Sequence, residues 1–152
     1  MPEKRFDKKG LLENCLKMQQ NIVENARKAM IDAQESANEE QGGMEEKFES
    51  FREQMQQDRD MYARQYEEAV NALNLLKRVD LGKASEEVAF GSVVATDANK
   101  YFIAISLGQI VHEGETVYAI SPQTPVYLAM VGKKAGDSYQ FRDRKVKILD
   151  VY

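Results

Sequence analysis

Between Gly10 and Gly82 the only glycines are Gly42 and Gly43, and no proline occurs between Pro2 and Pro122. Those two residue types are the ones that end or kink a helix in mid-course. Residues 11–80 are therefore free to form long helix, with one break in the middle. In the first half the apolar positions are Leu12, Cys15, Leu16, Ile22, Val23, Ala26, Ala29, Met30, Ala33 and Ala37. In the second they are Met44, Phe48, Phe51, Met55, Tyr62, Tyr66, Ala69, Leu73 and Leu76. Steps of three and four recur in both, the period of one helical face, with Gln19, Asp58 and Gln65 on or near the seam. Two helices of about 30 residues, each about 45 Å long, joined at Gly42-Gly43 would lie antiparallel as a hairpin. Alanines near the end of the first helix would face Phe48 and Phe51 in the second. So thin a pair buries little area per residue, so it needs anchoring at its base.

After Asp80 the character changes. Residues 81–87, LGKASEE, read as a short linker, and β-type runs follow at 88–96, 101–107, 116–120, 138–141 and 145–151. They are rich in Val, Ile, Tyr and Phe and are separated by turn chemistry at 97–99, 112–114 and 142–144. Between strands, Thr124 as N-cap, Pro125 as first helical residue and Gly132 as stop mark one short helix. The second part thus reads as a small antiparallel sheet cradling a short helix.

Charge is unevenly placed. The chain sums to −4, yet residues 31–50 hold seven acids and one base, Lys47. That window is −6, so the rest of the chain sums to +2. Glu39 and Glu40 precede the Gly-Gly pair and Glu45 and Glu46 follow it, crowding four carboxylates at the hairpin end. Charge runs commonly do no more than keep a surface soluble. Against that, like charges so close repel, and hard divalent cations such as Mg²⁺ take carboxylate oxygen, often from only one or two protein groups.

Other chemistry has little to stand on. No apolar run approaches the roughly 18–20 residues of a membrane span, and the N-terminal MPEKRFDKKG has no signal-peptide apolar core. One cysteine, Cys15, suits a reducing cytoplasm and reads as a buried structural thiol. One cysteine and one histidine cannot build a structural Cys/His zinc site. His112 falls in V-H-E-G-E, where an exposed loop histidine is the expectation. No glycine-rich phosphate loop or nucleophile elbow occurs. A mildly acidic chain without a basic tract is also a poor direct binder of duplex nucleic acid.

One run carries a resemblance. Ile120-Ser121-Pro122, then Ala129-Met130-Val131-Gly132-Lys133-Lys134-Ala135-Gly136-Asp137, then strands ending Lys147-Ile-Leu-Asp-Val-Tyr152, resembles the C-terminal domain of the bacterial Gre (GreA/GreB) transcript-cleavage factors. At the hairpin end, Gly42-Gly43-Met44-Glu45-Glu46-Lys47-Phe48-Glu49-Ser50 stands where the family has G-D-L-x-E-N-A-E-Y. Met44, Glu46 and Glu49 match, whereas Gly43, Lys47 and Ser50 replace the first acid, the Asn and the Tyr. The resemblance implies an α+β chain: an antiparallel coiled-coil hairpin at 1–80 with its tip near 39–46, the linker 81–87, and an FKBP-like antiparallel domain with one short helix at 88–152.

It implies a bacterial, cytoplasmic transcription elongation regulator whose partner is RNA polymerase, reaching DNA and RNA only through the elongation complex. The hairpin would enter the secondary channel and place Glu39, Glu40, Glu45 and Glu46 near the polymerase's Mg²⁺, with Glu45 and Glu46 sharing that metal. Ser121, Pro122, Lys133 and Lys134 are the implied docking residues. The chain would bind no cofactor stably and would not be an enzyme by itself, at most stimulating the polymerase's own cleavage. With the first acid lost, polymerase binding is implied more directly than cleavage, and a regulator that only occupies the channel is the near alternative. An FKBP-like domain also raises prolyl isomerisation, but its aromatic residues fall mostly within strands, where core packing accounts for them. A further alternative to the monomer is a structural coiled coil that homodimerises, with Met18, Met30, Met55 and Met61 as an adaptable partner surface.

Overall fold

The computed structural model describes residues 5–43, 49–83 and 85–152, with the side chains of 39–43 left aside. Two long helices come first, α1 (Lys8–Gly43) and α2 (Glu49–Leu76), of 36 and 28 residues. Six strands and one short helix follow: β1 (Val93–Thr96), β2 (Lys100–Ile103), β3 (Gly108–His112), β4 (Glu115–Ile120), α3 (Pro125–Met130), β5 (Ser138–Phe141) and β6 (Arg144–Val151). The fold is a helical hairpin followed by a sheet with one short helix, the α+β architecture expected from the sequence.

Packing divides the chain into two compact units, one of Met1–Leu16 with Leu75–Tyr152 and the other of Lys17–Asn74. In the second unit α1 and α2 run antiparallel. The Gln19 side-chain amide, itself buried, donates to the carbonyl of Ala69 at 2.9 Å. Ala37 and Ala69 are buried, while Ile22 and Phe51 are about half exposed. The seam matches the expected one only in part. Gln19 lies on it as its spacing indicates, whereas Ile22 and Phe51, expected there, stand about half exposed. Gly42 and Gly43 close α1 rather than linking the helices; the expected partner Phe48 lies outside the described residues.

In the first unit the strands run in the order β3-β4-β2-β1-β6-β5. All neighbours are antiparallel except β2 and β4, which pair in parallel with Tyr101 opposite Tyr118. The sheet is thus mostly antiparallel, as expected; β3 intervenes in sequence and lets β4 return in the direction of β2. β3 itself was not expected from the sequence. Gly108, Gln109 and His112 dilute its apolar signal, and only Ile110 is fully buried. It closes on β4 through Glu113-Gly114, both at positive φ (52° and 76°), the two-residue turn that matches strand twist. β1 begins at Val93 rather than 88, after a turn with Gly91 at φ 90°.

Strand alternation gives the sheet two buried faces. On one, Val94, Ile103, Tyr139, Val146, Ile148 and Val151 pack with Val88 and with Met130 of α3. Val93, Phe102, Ile110 and Val117 are buried on the other. The base of the hairpin lies against that second face. The Phe6 and His112 rings are 5.6 Å apart, and Lys100 Nζ is 5.0 Å from the Phe6 ring centre. Phe6 N–H donates to the Tyr152 hydroxyl at 2.6 Å, Arg5 pairs with Asp150 at 2.9 Å, and Val79 lies under Gly91. Leu11, Leu12, Cys15, Leu76 and Val79 are buried in the same unit. Each large side chain so covered contributes about 1.5–3 kcal/mol. Among the described residues no helix is long and apolar enough to cross a membrane.

Candidate functional site

The Ser121–Asp137 run folds as loop, helix and turn, and its hydrogen bonds explain why these residue types occur there. The Ser121 carbonyl accepts from the Thr124 hydroxyl (2.9 Å) and the Thr124 N–H (3.2 Å), while Ser121 Oγ accepts from Gln123 N–H (3.3 Å). Thr124 occupies the N-cap position of α3 and Pro125 its first turn, but the threonine hydroxyl bonds back to Ser121 instead of capping the helix. Gly132 follows α3 in the left-handed region at φ 77°, its N–H donating to the Val88 carbonyl at 2.9 Å. Val88 N–H donates to the Lys133 carbonyl at 2.8 Å. Asp137 folds its carboxylate onto the turn, accepting from Lys134 N–H at 2.8 Å. The Gly-Lys-Lys-Ala-Gly-Asp run is thus a built turn that positions its lysines.

The four expected docking residues flank α3. Ser121 and Pro122, half-buried, precede it; Lys133, half-buried, and Lys134, exposed, follow it. Lys134 Nζ lies 3.8 Å from a Glu87 carboxylate oxygen, an exposed pair of little energetic weight. Between these groups Leu128 is 62% exposed and Val131 46% exposed. Sequence reasoning had not picked out this pair. Part of its signal was available: with Met130 turned into the core, Leu128 falls on the opposite face of α3, and Val131 follows as the C-cap residue. The two form a small exposed apolar pair beside the lysines and the proline.

Of the four tip acids, Glu45 and Glu46 and the side chains of Glu39 and Glu40 lie outside the described residues. Glu49 opens α2, where its charge suits the helix N-terminus, and with Arg52, Glu53 and Gln56 it lines a shallow hollow.

Catalytic candidates fare poorly. Among the described residues no group of three or more His, Cys, Asp or Glu could hold a metal ion. Burial pushes the Cys15 thiol up to about 11, so it is not a nucleophile at neutral pH. His112 corrects an expectation: it closes β3 against Phe6, with Nε2 buried and, among the described residues, unpartnered, instead of sitting exposed in a loop.

No protein-family model matches the chain, and no curated protein matches it. Two solved structures are similar at 16% identity. One is described as the structure of the transcription factor Gfh1, with 90% of this chain and 92% of that one covered at a TM-score of 0.35. The other is the crystal structure of GreA factor homolog 1 (Gfh1) of Thermus thermophilus, with 94% and 93% covered at a TM-score of 0.34. Scores this low support no residue-level superposition, and the fold described above rests on the chain's own helices and strand pairing.

Proposed function

We propose that this chain is a Gre-like transcription regulator that binds RNA polymerase. The observation that supports it is a combination within one chain. A long helical hairpin carries a net charge of −6 in the window 31–50, and a sheet unit carries the Gre-resembling run at 120–137. In this reading Leu128 and Val131, flanked by Ser121, Pro122, Lys133 and Lys134, dock on the polymerase surface. The hairpin enters the secondary channel. Glu45 and Glu46, supported by Glu39 and Glu40, share the polymerase's Mg²⁺ and help activate a water for transcript cleavage. The chain is then a regulator of another protein's chemistry, with no resident cofactor.

A second reading is favoured by Gly43, which stands where the family has its first acid. A metal ligand misplaced by about 1 Å can cost about 10²-fold in rate, so the protein occupies the channel without stimulating cleavage. Pulldown with bacterial RNA polymerase, followed by a stalled elongation complex assay, tests both. Absence of binding refutes the proposal. Binding with cleavage that Glu45→Ala/Glu46→Ala abolishes supports the first reading. Binding without cleavage, unchanged in that variant, selects the second.

A further inference from the structure

The β5–β6 hairpin carries a basic face that polymerase docking through α3 does not use. From Tyr139 to Lys147 aromatic and basic residues interleave, as Tyr139, Phe141, Arg142, Arg144, Lys145 and Lys147, with Asp143 the only acid in the run. Strand pairing sets Ser138 beside Lys147 and Gln140 beside Lys145. These four stand on the face opposite Tyr139 and Val146, which are buried in the core with Met130. Lys145 and Lys147 are exposed and about 6–7 Å apart along the strand. Among the described residues Arg142, Arg144, Lys145 and Lys147 make no ion pair. The bordering acid, Asp97, is already engaged, accepting from the Lys147 backbone N–H at 3.2 Å.

Two further features narrow the partner. β5 is the last strand of the sheet, and among the described residues its backbone bonds to nothing beyond β6. The face therefore ends at an open rim. At the hairpin tip the Arg142 guanidinium lies over the Phe141 ring, 5.1 Å from its centre. That stack holds a flat cation on which an aromatic base can sit. Lysines also guard sheet edges against pairing with other strands, but that duty needs neither a two-residue repeat of cations nor a stacked arginine. An acidic peptide would match the charge and leave the stack unused.

We propose that this hairpin binds single-stranded nucleic acid, with Lys145 and Lys147 on successive phosphates and one base stacked on Arg142 at the hairpin tip. The inference does not depend on the polymerase reading. The test is fluorescence anisotropy of the full chain with labelled oligo-dT and oligo-U of about 12 nucleotides at low salt. Both probes bind, with a dissociation constant on the order of 10⁻⁴–10⁻⁶ M that weakens steeply with salt. Lys145→Gln/Lys147→Gln weakens binding roughly tenfold and lowers the log–log salt slope by about 1.4, the share of two phosphates on a single strand. Arg142→Lys keeps that slope but weakens binding to the normal probe more than to an abasic one. The proposal is overturned if the chain fails to bind at low salt, or if the double lysine variant binds as tightly as the parent. It is equally overturned if poly-glutamate competes as well as the oligonucleotide at equal charge, which would assign the face to an acidic protein. Because no polymerase is present, neither result bears on the channel-binding reading.

Discussion

Cys15 is wholly buried, and burial pushes its thiol from an ordinary 9.0 up to about 11. Between those values the unfolded chain has lost the proton while the folded chain keeps it. Stability is therefore fully present below about pH 9 and falls as pH rises toward 11. Tyr139, also raised by burial, to about 12, extends the loss further into alkali. Urea midpoints measured from about pH 8 to about pH 11 should fall, and Cys15→Ala should flatten the curve in that range. A parent midpoint that stays level would refute the assignment. A second residue-scale test is Gln19, whose amide reaches across the hairpin to Ala69. Gln19→Ala removes this bond and opens a hole, so it should cost about 1–3 kcal/mol. Gln19→Met keeps the volume, and the Ala69 carbonyl retains its helical environment, so the change should stay within about 1.5 kcal/mol. Chemical denaturation followed by circular dichroism reads both.

At the scale of elements, the β5–β6 turn places Arg142 and Asp143 at φ 51° and 62°, a conformation that favours glycine. Asp143→Gly should stabilise the chain by about 0.5–1 kcal/mol, seen as a higher thermal midpoint. A lower midpoint would mean that the aspartate makes a contribution its surroundings do not reveal. This turn was legible in the sequence, as was the short helix, because Thr124-Pro125 and Gly132 punctuate it with residue types whose backbone preferences are strong. β3 was not legible. Its side chains are mostly wet, so neither an apolar run nor clean alternation survives in Gly108–His112, although the turn that follows it at 112–114 was legible. The hairpin seam was half legible. Helical period identified the helices, but period alone does not say that Gln19 is buried and Ile22 is not, since that depends on which residue of the facing helix stands opposite. The exposed apolar pair required the helix phase. Only with Met130 fixed in the core does the outward direction of Leu128 follow, and Val131 is the C-cap residue just beyond the helix.

At the scale of the molecule, composition changes at 81–87, whereas packing divides the chain after Leu16 and before Leu75. In the sequence Leu12, Cys15 and Leu76 look like more hairpin seam. In the fold they belong to the sheet unit, because a sheet with two apolar faces and one short helix has only one of those faces covered by its own segment. The ends of α1 and α2 supply the missing cover, which is also the anchoring that a thin hairpin requires. This predicts unequal outcomes for two deletions. Replacing 17–74 with a short glycine-serine turn keeps every covering residue, so the sheet unit should stay folded, with a cooperative thermal transition and a dispersed proton spectrum. Residues 81–152 alone would leave Val93, Phe102, Ile110 and Val117 facing water, an apolar patch of the kind that drives association. That shorter chain should aggregate or lose its cooperative transition. If it instead folds as stably as the turn-replaced chain, the hairpin base is dispensable to the sheet. The hairpin would then need some anchor other than the one that Phe6, Leu11 and Leu76 provide.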